Sequence, residues 1–246
     1  MKITSFLKTS TNKFVVLHEP VTRLRRFTTS VPEAHSLLAC NNNKQYIDCR
    51  FPKEVAASRQ NVFDRYFTVV PDAVTENEEV QLIDEIEKSL KRLRYQHDHW
   101  DDAIHGYRET EVVVWKNQTN GDIIQRLRSL AFKDDSNTVP MQRVHVLDIC
   151  DDGYVKAHVD SIKFCGNIIA GLSLLSDSIM RLADEAEPHI HVRALLPRRS
   201  LYIMKDDVRY KYTHEILPDN DEPFNGKRIV RKRRVSIVFR NEPPVS

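Results

Sequence analysis

Across residues 143–240 the chain is written in short apolar or alternating runs separated by turn residues, with no convincing helical period. Such runs are strand signals, and they fall near 143–149, 154–160, 167–175, 179–182, 190–196, 200–204, 211–217 and 234–240. Eight short strands in succession bury their apolar faces by stacking as two layers or by closing on themselves. The pattern predicts a mainly β protein with flanking helices, whose core over 141–241 is a jelly roll (a double-stranded β-helix) able to hold a small site between its sheets at one end.

A helical preface, 63–140, comes before it. Thr75-Glu76-Asn77-Glu78 is a capping box, in which the threonine hydroxyl accepts from the N3 amide and the glutamate reaches back. Leu82, Ile83, Ile86, Leu90 and Leu93 then recur at helical spacing, with acids early and bases late, so a helix is expected over 76–94. A strand is expected over 111–115 and a second helix over 122–132, packing Ile123, Ile124, Leu127 and Leu130 inward. Residues 33–62 are polar and mixed and read as a flexible linker to a catalytic domain spanning 63–246. Residues 1–32 carry Lys2, Lys8, Lys13, Arg23, Arg25 and Arg26 against the single acid Glu19, among many Ser and Thr. That is the composition of a mitochondrial transit peptide, with Arg25-Arg26-Phe27-Thr28 placed like a matrix-processing site, and the mitochondrial matrix is the expected location.

The 37 basic and 35 acidic residues leave a net charge of +2, which makes no electrostatic case for nucleic acid. No apolar run approaches the length of a membrane span. Cys40, Cys49, Cys150 and Cys165 form no CxxC pair and suit a reducing compartment. A monomer is expected.

In Tyr154-Val155-Lys156-Ala157-His158-Val159-Asp160, a strand would turn His158 and Asp160 to one face. His214, on a later strand, can face the same cavity. Two imidazoles and one carboxylate leave three coordination positions open, the arrangement of non-haem Fe(II) oxygenases. A second triplet, His99-Trp100-Asp101, sits among further acids ahead of the strands and reads as a solvated turn. On the last strand Arg234, Ser236 and Arg240 share one face, while Val235, Ile237 and Phe239 share the other. A buried guanidinium needs a partner, and a carboxylate held bidentately is its best one. The distal carboxylate of 2-oxoglutarate fits that need. The preceding Arg231-Lys232-Arg233 reads as a basic surface.

The segments HVDSIKFCGNIIAGLSLLS, SLYIM, YTHEIL and RRVSIVFR, with HWDDAIHGYRETE ahead of them, resemble the AlkB-like dioxygenases, and most closely the mitochondrial AlkB homologue seven subfamily, over about 99–240. The resemblance implies Fe(II) bound by His158, Asp160 and His214, with 2-oxoglutarate and dioxygen as co-substrates. It also implies 2-oxoglutarate contacts from Tyr202, Arg234 and Arg240, and Ser236 joins this cofactor-binding set as their neighbour. One departure stands out: the Asn-x-Tyr pair that nucleic-acid-repairing members place eleven and nine residues before the first histidine is here Leu147 and Ile149. Nor is there the basic, aromatic segment with which such enzymes grip a flipped nucleotide. The resemblance points to protein hydroxylation or RNA demethylation, with protein favoured, and to roles in programmed necrosis and fatty-acid metabolism. Two other readings compete: a metal-binding module that recruits a matrix partner without turnover, and a zinc or manganese hydrolase. Arg234 speaks against the hydrolase, so iron and not zinc is expected.

Overall fold

The structure is a computed structural model describing residues 45–97, 103–133, 138–218 and 222–244. All of them belong to one compact unit, residues 37–246. The expected transit peptide and the His99-Trp100-Asp101 triplet lie outside the described residues.

In chain order the elements are β1 (Ile47–Arg50), α1 (Ala56–Tyr66), β2 (Phe67–Val70), α2 (Glu76–Leu90), β3 (Ile104–Val112), α3 (Gln118–Phe132), β4 (Val144–His158), β5 (Ile168–Leu174), β6 (Ser178–Asp184), β7 (His191–Leu196), β8 (Ser200–Lys205), α4 (Asp206–Lys211), β9 (Tyr212–Ile216) and β10 (Arg234–Arg240). The strands hydrogen-bond in the order β1-β7-β6-β9-β4-β10-β5-β8-β2, all antiparallel, with β3 on β4. This is a sheet curled over itself, the expected jelly roll.

The curl is made within β4, where the sequence suggests two strands and the structure has one of fifteen residues. Its first half, 145–149, pairs with β10, and its second half meets β9 at Val155 and His158. Between the halves β3 bulges at Gly106, whose φ of +63° favours glycine. A Cβ on Gly106 would lie 2.9 Å from the Gly153 Cα, so two glycines allow the strands to meet there. The carbonyls of Cys150, Asp151 and Gly153, turned out of the ladder, accept from the buried Arg231 guanidinium. Arg231 is therefore a bolt across the bend and not part of a basic surface.

Side chains alternate across the sheet as a strand requires. Outward-facing Val146, Ala170, Leu172, Leu201, Ile203, Val235, Ile237 and Phe239 pack against Leu82, Ile86 and Leu90 of α2 and Ile123, Ile124 and Leu127 of α3. Inward-facing Leu147, Ile149, Ile169, Tyr202, Met204 and Val238 meet Met180, Leu182 and Val192 of the opposite layer. At α2 both halves of the capping box are present: the Glu78 amide donates to Thr75 Oγ1 at 3.2 Å, and the Thr75 amide donates to Glu78 Oε2 at 2.8 Å.

Several expectations are corrected. Residues 45–62, within the expected linker, carry β1 and most of α1. Here β1 pairs with β7, and Phe63 of α1 packs among the rings of Phe51, Phe67 and Tyr212. The helix expected to reach 94 stops at Leu90, where Arg108 donates to the Leu90 carbonyl. The second helix starts at Gln118, because the Asn117 side chain accepts from the Thr119 amide. The strand near 111–115 lies earlier, at Ile104–Val112. The apolar Val113 and Val114 that suggested it are instead exposed, at 62% and 78%. Finally, α4 falls where no helix was expected, and six residues are too few to display a period. No helix among the described residues is long and apolar enough to cross a membrane.

Beneath the C-terminal end of α2, the fully buried Asp148 of β4 accepts from Arg108 Nε at 2.7 Å, Arg233 Nε at 3.0 Å and the Tyr95 hydroxyl at 3.1 Å. Arg233 also pairs with Glu87 of α2. Removing the buried carboxylate leaves two guanidinium groups to share Glu87 alone and the Tyr95 hydroxyl without its acceptor. Asp148→Ala should therefore lower stability by about 3 kcal/mol, read as a shifted urea midpoint with the slope unchanged.

Candidate metal centre

His158 closes β4 and stands directly across from His214 of β9, and their ring centroids lie 4.3 Å apart. Asp160 follows two residues later, past the end of the strand. The sequence places it beside His158 on a strand face, whereas the structure brings it there from irregular backbone just past the strand's end. Asp160 Oδ1 lies 3.2 Å from His158 Nε2 and 3.7 Å from His214 Nε2. Each residue thus offers one ligand atom, all within 4.8 Å of one another, and together they could hold one metal ion.

Neighbouring groups set the orientation of this triad. His158 Nδ1 lies 2.9 Å from the Lys156 carbonyl, so Nδ1 carries the proton and Nε2 keeps its lone pair. Arg240 donates to Asp160 Oδ2 through Nε at 2.8 Å and Nη2 at 2.7 Å, which leaves Oδ1 for the histidines' side. Burial opposes ionisation of Asp160, but Arg240 and the two histidines outweigh it and hold the carboxyl well below the usual range. Burial also opposes protonation of His158, yet its bonds to Asp160 and to the Lys156 carbonyl raise its pKa overall. His214, buried and beside His158, is pushed down to about 3 and is a neutral imidazole.

Behind the triad lies an inner cavity of about 80 Å³ whose lining includes Leu147, Ile169, Tyr202, Arg234, Ser236, Val238 and Arg240. Every sequence-predicted site residue reaches it, because β10 turns Arg234, Ser236 and Arg240 inward as its alternation demands. Arg240 is engaged by Asp160. Arg234 is different: at 2% exposure its Nε donates to the Ser173 hydroxyl at 3.0 Å, and no carboxylate pairs with it among the described residues. Burial pulls its pKa down to about 10, leaving it charged at neutral pH and in want of an anion. The Tyr202 phenol lies in the same cavity with its pKa raised by burial, so it is a hydrogen-bond donor there. Leu147 sits on the cavity wall in one of the two positions where an Asn-x-Tyr pair would stand.

Sequence reading missed two contributors on β5. Gly171 is paired with Tyr202 across the strands, and a Cβ there would lie 2.4–2.6 Å from the Tyr202 ring. Ser173, two residues on, braces Arg234. A glycine inside an apolar strand was the available signal, since it marks a close approach.

Residues 66–240 match the model of the 2OG-Fe(II) oxygenase superfamily. The chain is 46% identical over 175 residues to the proteins of Mus musculus and of Bos taurus named alpha-ketoglutarate-dependent dioxygenase alkB homolog 7, mitochondrial; each match covers 71% of this chain and 78% of the relative. Among solved structures, a prolyl-4-hydroxylase of Pseudomonas putida shares the fold with a TM-score of 0.51 at 10% identity, covering 76% of this chain and 98% of that one.

Two outcomes follow. Gly171→Ala should displace the Tyr202 ring and weaken 2-oxoglutarate binding about tenfold, a loss of about 1.4 kcal/mol, while metal binding stays within about twofold; calorimetric titration of each checks this. His214 has a folded pKa of about 3 against an ordinary 6.5, so between those values the unfolded chain takes a proton that the folded chain refuses. Metal-free protein should therefore lose up to about 1.4 kcal/mol of stability per pH unit from this residue as pH falls through that window. Urea titrations at successive pH values should show the slope in the native protein and a shallower one in His214→Phe.

Proposed function

Because the chain belongs to the 2OG-Fe(II) oxygenase superfamily, we propose that it oxidises a C–H bond of a protein side chain in the mitochondrial matrix, with His158, Asp160 and His214 holding its iron. Membership makes it an oxidoreductase that uses Fe(II), 2-oxoglutarate and dioxygen. The mitochondrial names of both relatives support the address, and the basic, acid-poor composition of residues 1–32 supports the matrix. RNA demethylation is the rival substrate class. Parts in programmed necrosis and fatty-acid metabolism, which the subfamily resemblance implies, go with this reading.

The observation that carries it is Arg234, a buried guanidinium without a counter-charge, facing a small cavity beside two neutral-capable imidazoles and a carboxylate. When bound, Fe(II) and 2-oxoglutarate supply dioxygen activation, in which the 2-oxo acid becomes succinate and carbon dioxide and one oxygen atom enters the substrate C–H bond. The protein supplies order. Arg234 would receive the distal carboxylate and the Tyr202 phenol would donate to the same anion, with the Ser236 hydroxyl on the adjoining wall. Arg240 fixes Asp160 by Oδ2, so Oδ1 is the oxygen that would be offered to the iron beside His158 and His214. Leu147, Ile169 and Val238 keep the inner wall apolar and exclude water.

Anaerobic titration of 2-oxoglutarate into the Fe(II)-loaded protein should raise the weak visible charge-transfer band of a chelated 2-oxo acid. Arg234→Ala should weaken that binding about 100-fold, the scale of a charge-assisted pair worth about 3 kcal/mol, with iron affinity nearly unchanged. If iron binds and no band forms, or if Arg234→Ala binds the anion as well as the native protein, this function is wrong.

A further inference from the structure

His158 and Asp160 of the triad also line an outer cleft of about 490 Å³. One wall of this cleft is built of side chains to which no iron or 2-oxoglutarate contact is assigned above. On β3 and β4, Glu111 stands opposite His145, and Glu109 stands opposite Leu147. His145 Nε2 lies 2.8 Å from a Glu109 carboxylate oxygen. Arg143 approaches Glu111 at 3.8 Å, both more than half exposed.

A carboxylate can only accept, so a neutral His145 carries its proton on Nε2 and keeps Nδ1 as an acceptor. Nδ1 has no partner among the described residues, and the ring lines both the inner cavity and the outer cleft. The arginines that line the cleft are already paired, Arg240 with Asp160 and Arg143 with Glu111. The wall therefore offers one acceptor, His145 Nδ1, with the Glu109 carboxylate behind the ring. The rest of the cleft is largely apolar, through Ile104, Met141, Val159, Phe164 and Val238. An aliphatic stem ending in N–H donors fits both halves. A nucleic acid needs cations for its phosphates and stacking faces for its bases. Among the described residues that line the cleft, Arg240 is held by Asp160, Arg143 lies beside Glu111, and Phe164 is the one Phe, Tyr or Trp ring.

We propose that His145, backed by Glu109, determines substrate specificity by accepting a hydrogen bond from the amine or guanidinium of a protein lysine or arginine side chain, whose stem lies along the apolar wall towards the metal centre. The inference rests on the oxygenase reading of the site and narrows its substrate.

The test uses the full chain loaded with Mn(II) and 2-oxoglutarate, so that nothing turns over, and fluorescence polarisation of four labelled eleven-residue peptides, identical but for a central Lys, Arg, Glu or Leu. The Lys or Arg peptide should bind about tenfold more tightly than the Glu and Leu peptides, a difference of about 1.4 kcal/mol. Glu109→Gln and His145→Phe should each reduce that preference to about twofold or less. Glu109→Gln is isosteric and keeps the test open should His145→Phe fail to fold. Equal binding of all four peptides, or a preference that survives both substitutions, overturns the assignment. A labelled single-stranded RNA of eleven nucleotides that outcompetes the basic peptides overturns the substrate class. The charge-transfer band of the native Fe(II) protein is read separately: its absence rejects the oxygenase reading, whereas its presence with no peptide preference rejects only this inference.

Discussion

Neighbouring side chains on a strand leave on opposite faces, and at the entry to β10 that constraint separates two adjacent arginines. Arg233 goes outward to Asp148 and Glu87, where its charge is met twice. Arg234 goes inward to a cavity whose nearest polar support is a serine hydroxyl. The same backbone feeds Val235, Ile237 and Phe239 to the helices and Ser236, Val238 and Arg240 to the site. A register slip of one residue would drive the acid-paired charge into the cavity and the apolar row into the metal site. The Asp148 network therefore does more than join α2 to the sheet: it keeps the parity on which the anion cavity depends.

β4 is the second constraint. It belongs to both layers, and its bend, allowed by Gly106 against Gly153 and bolted by Arg231, brings His158 opposite His214. Two residues more than fifty positions apart thus become cross-strand neighbours, and the backbone just past β4 has only to bring Asp160 beside them. Arg240, at the far end of β10, then meets that carboxylate.

Much of this was legible in the sequence, because it follows from period. Alternation placed Arg234, Ser236 and Arg240 on one face, and the capping box placed the start of α2 at the residue observed. What was not legible depended on partners remote in sequence. Nothing local in 143–160 distinguishes one bent strand from two, since the distinction lies in Arg231 and in the glycine of β3. The helix that seemed to run to 94 is ended by an arginine eighteen residues beyond Leu90. Arg231 looked like surface because three basic residues in a row usually are. Residues 45–62 looked like linker because the strand they contain is stabilised by β7, more than a hundred residues away.

Gly171 bears on how such a site can change over evolutionary time. The room in which the Tyr202 ring lies exists because one β-carbon is absent on the neighbouring strand. The dimensions of the cavity are thus held by a vacancy in the scaffold, which no other amino acid can reproduce while the tyrosine stays. The two positions are bound to vary together: a larger residue at 171 is tolerable only with a smaller one at 202, and that exchange would trade the phenol's hydrogen bond for bulk. Adaptation to a different anion through this pair needs paired replacements, and the single-step intermediates would be penalised by steric clash on one side or by an unfilled space on the other.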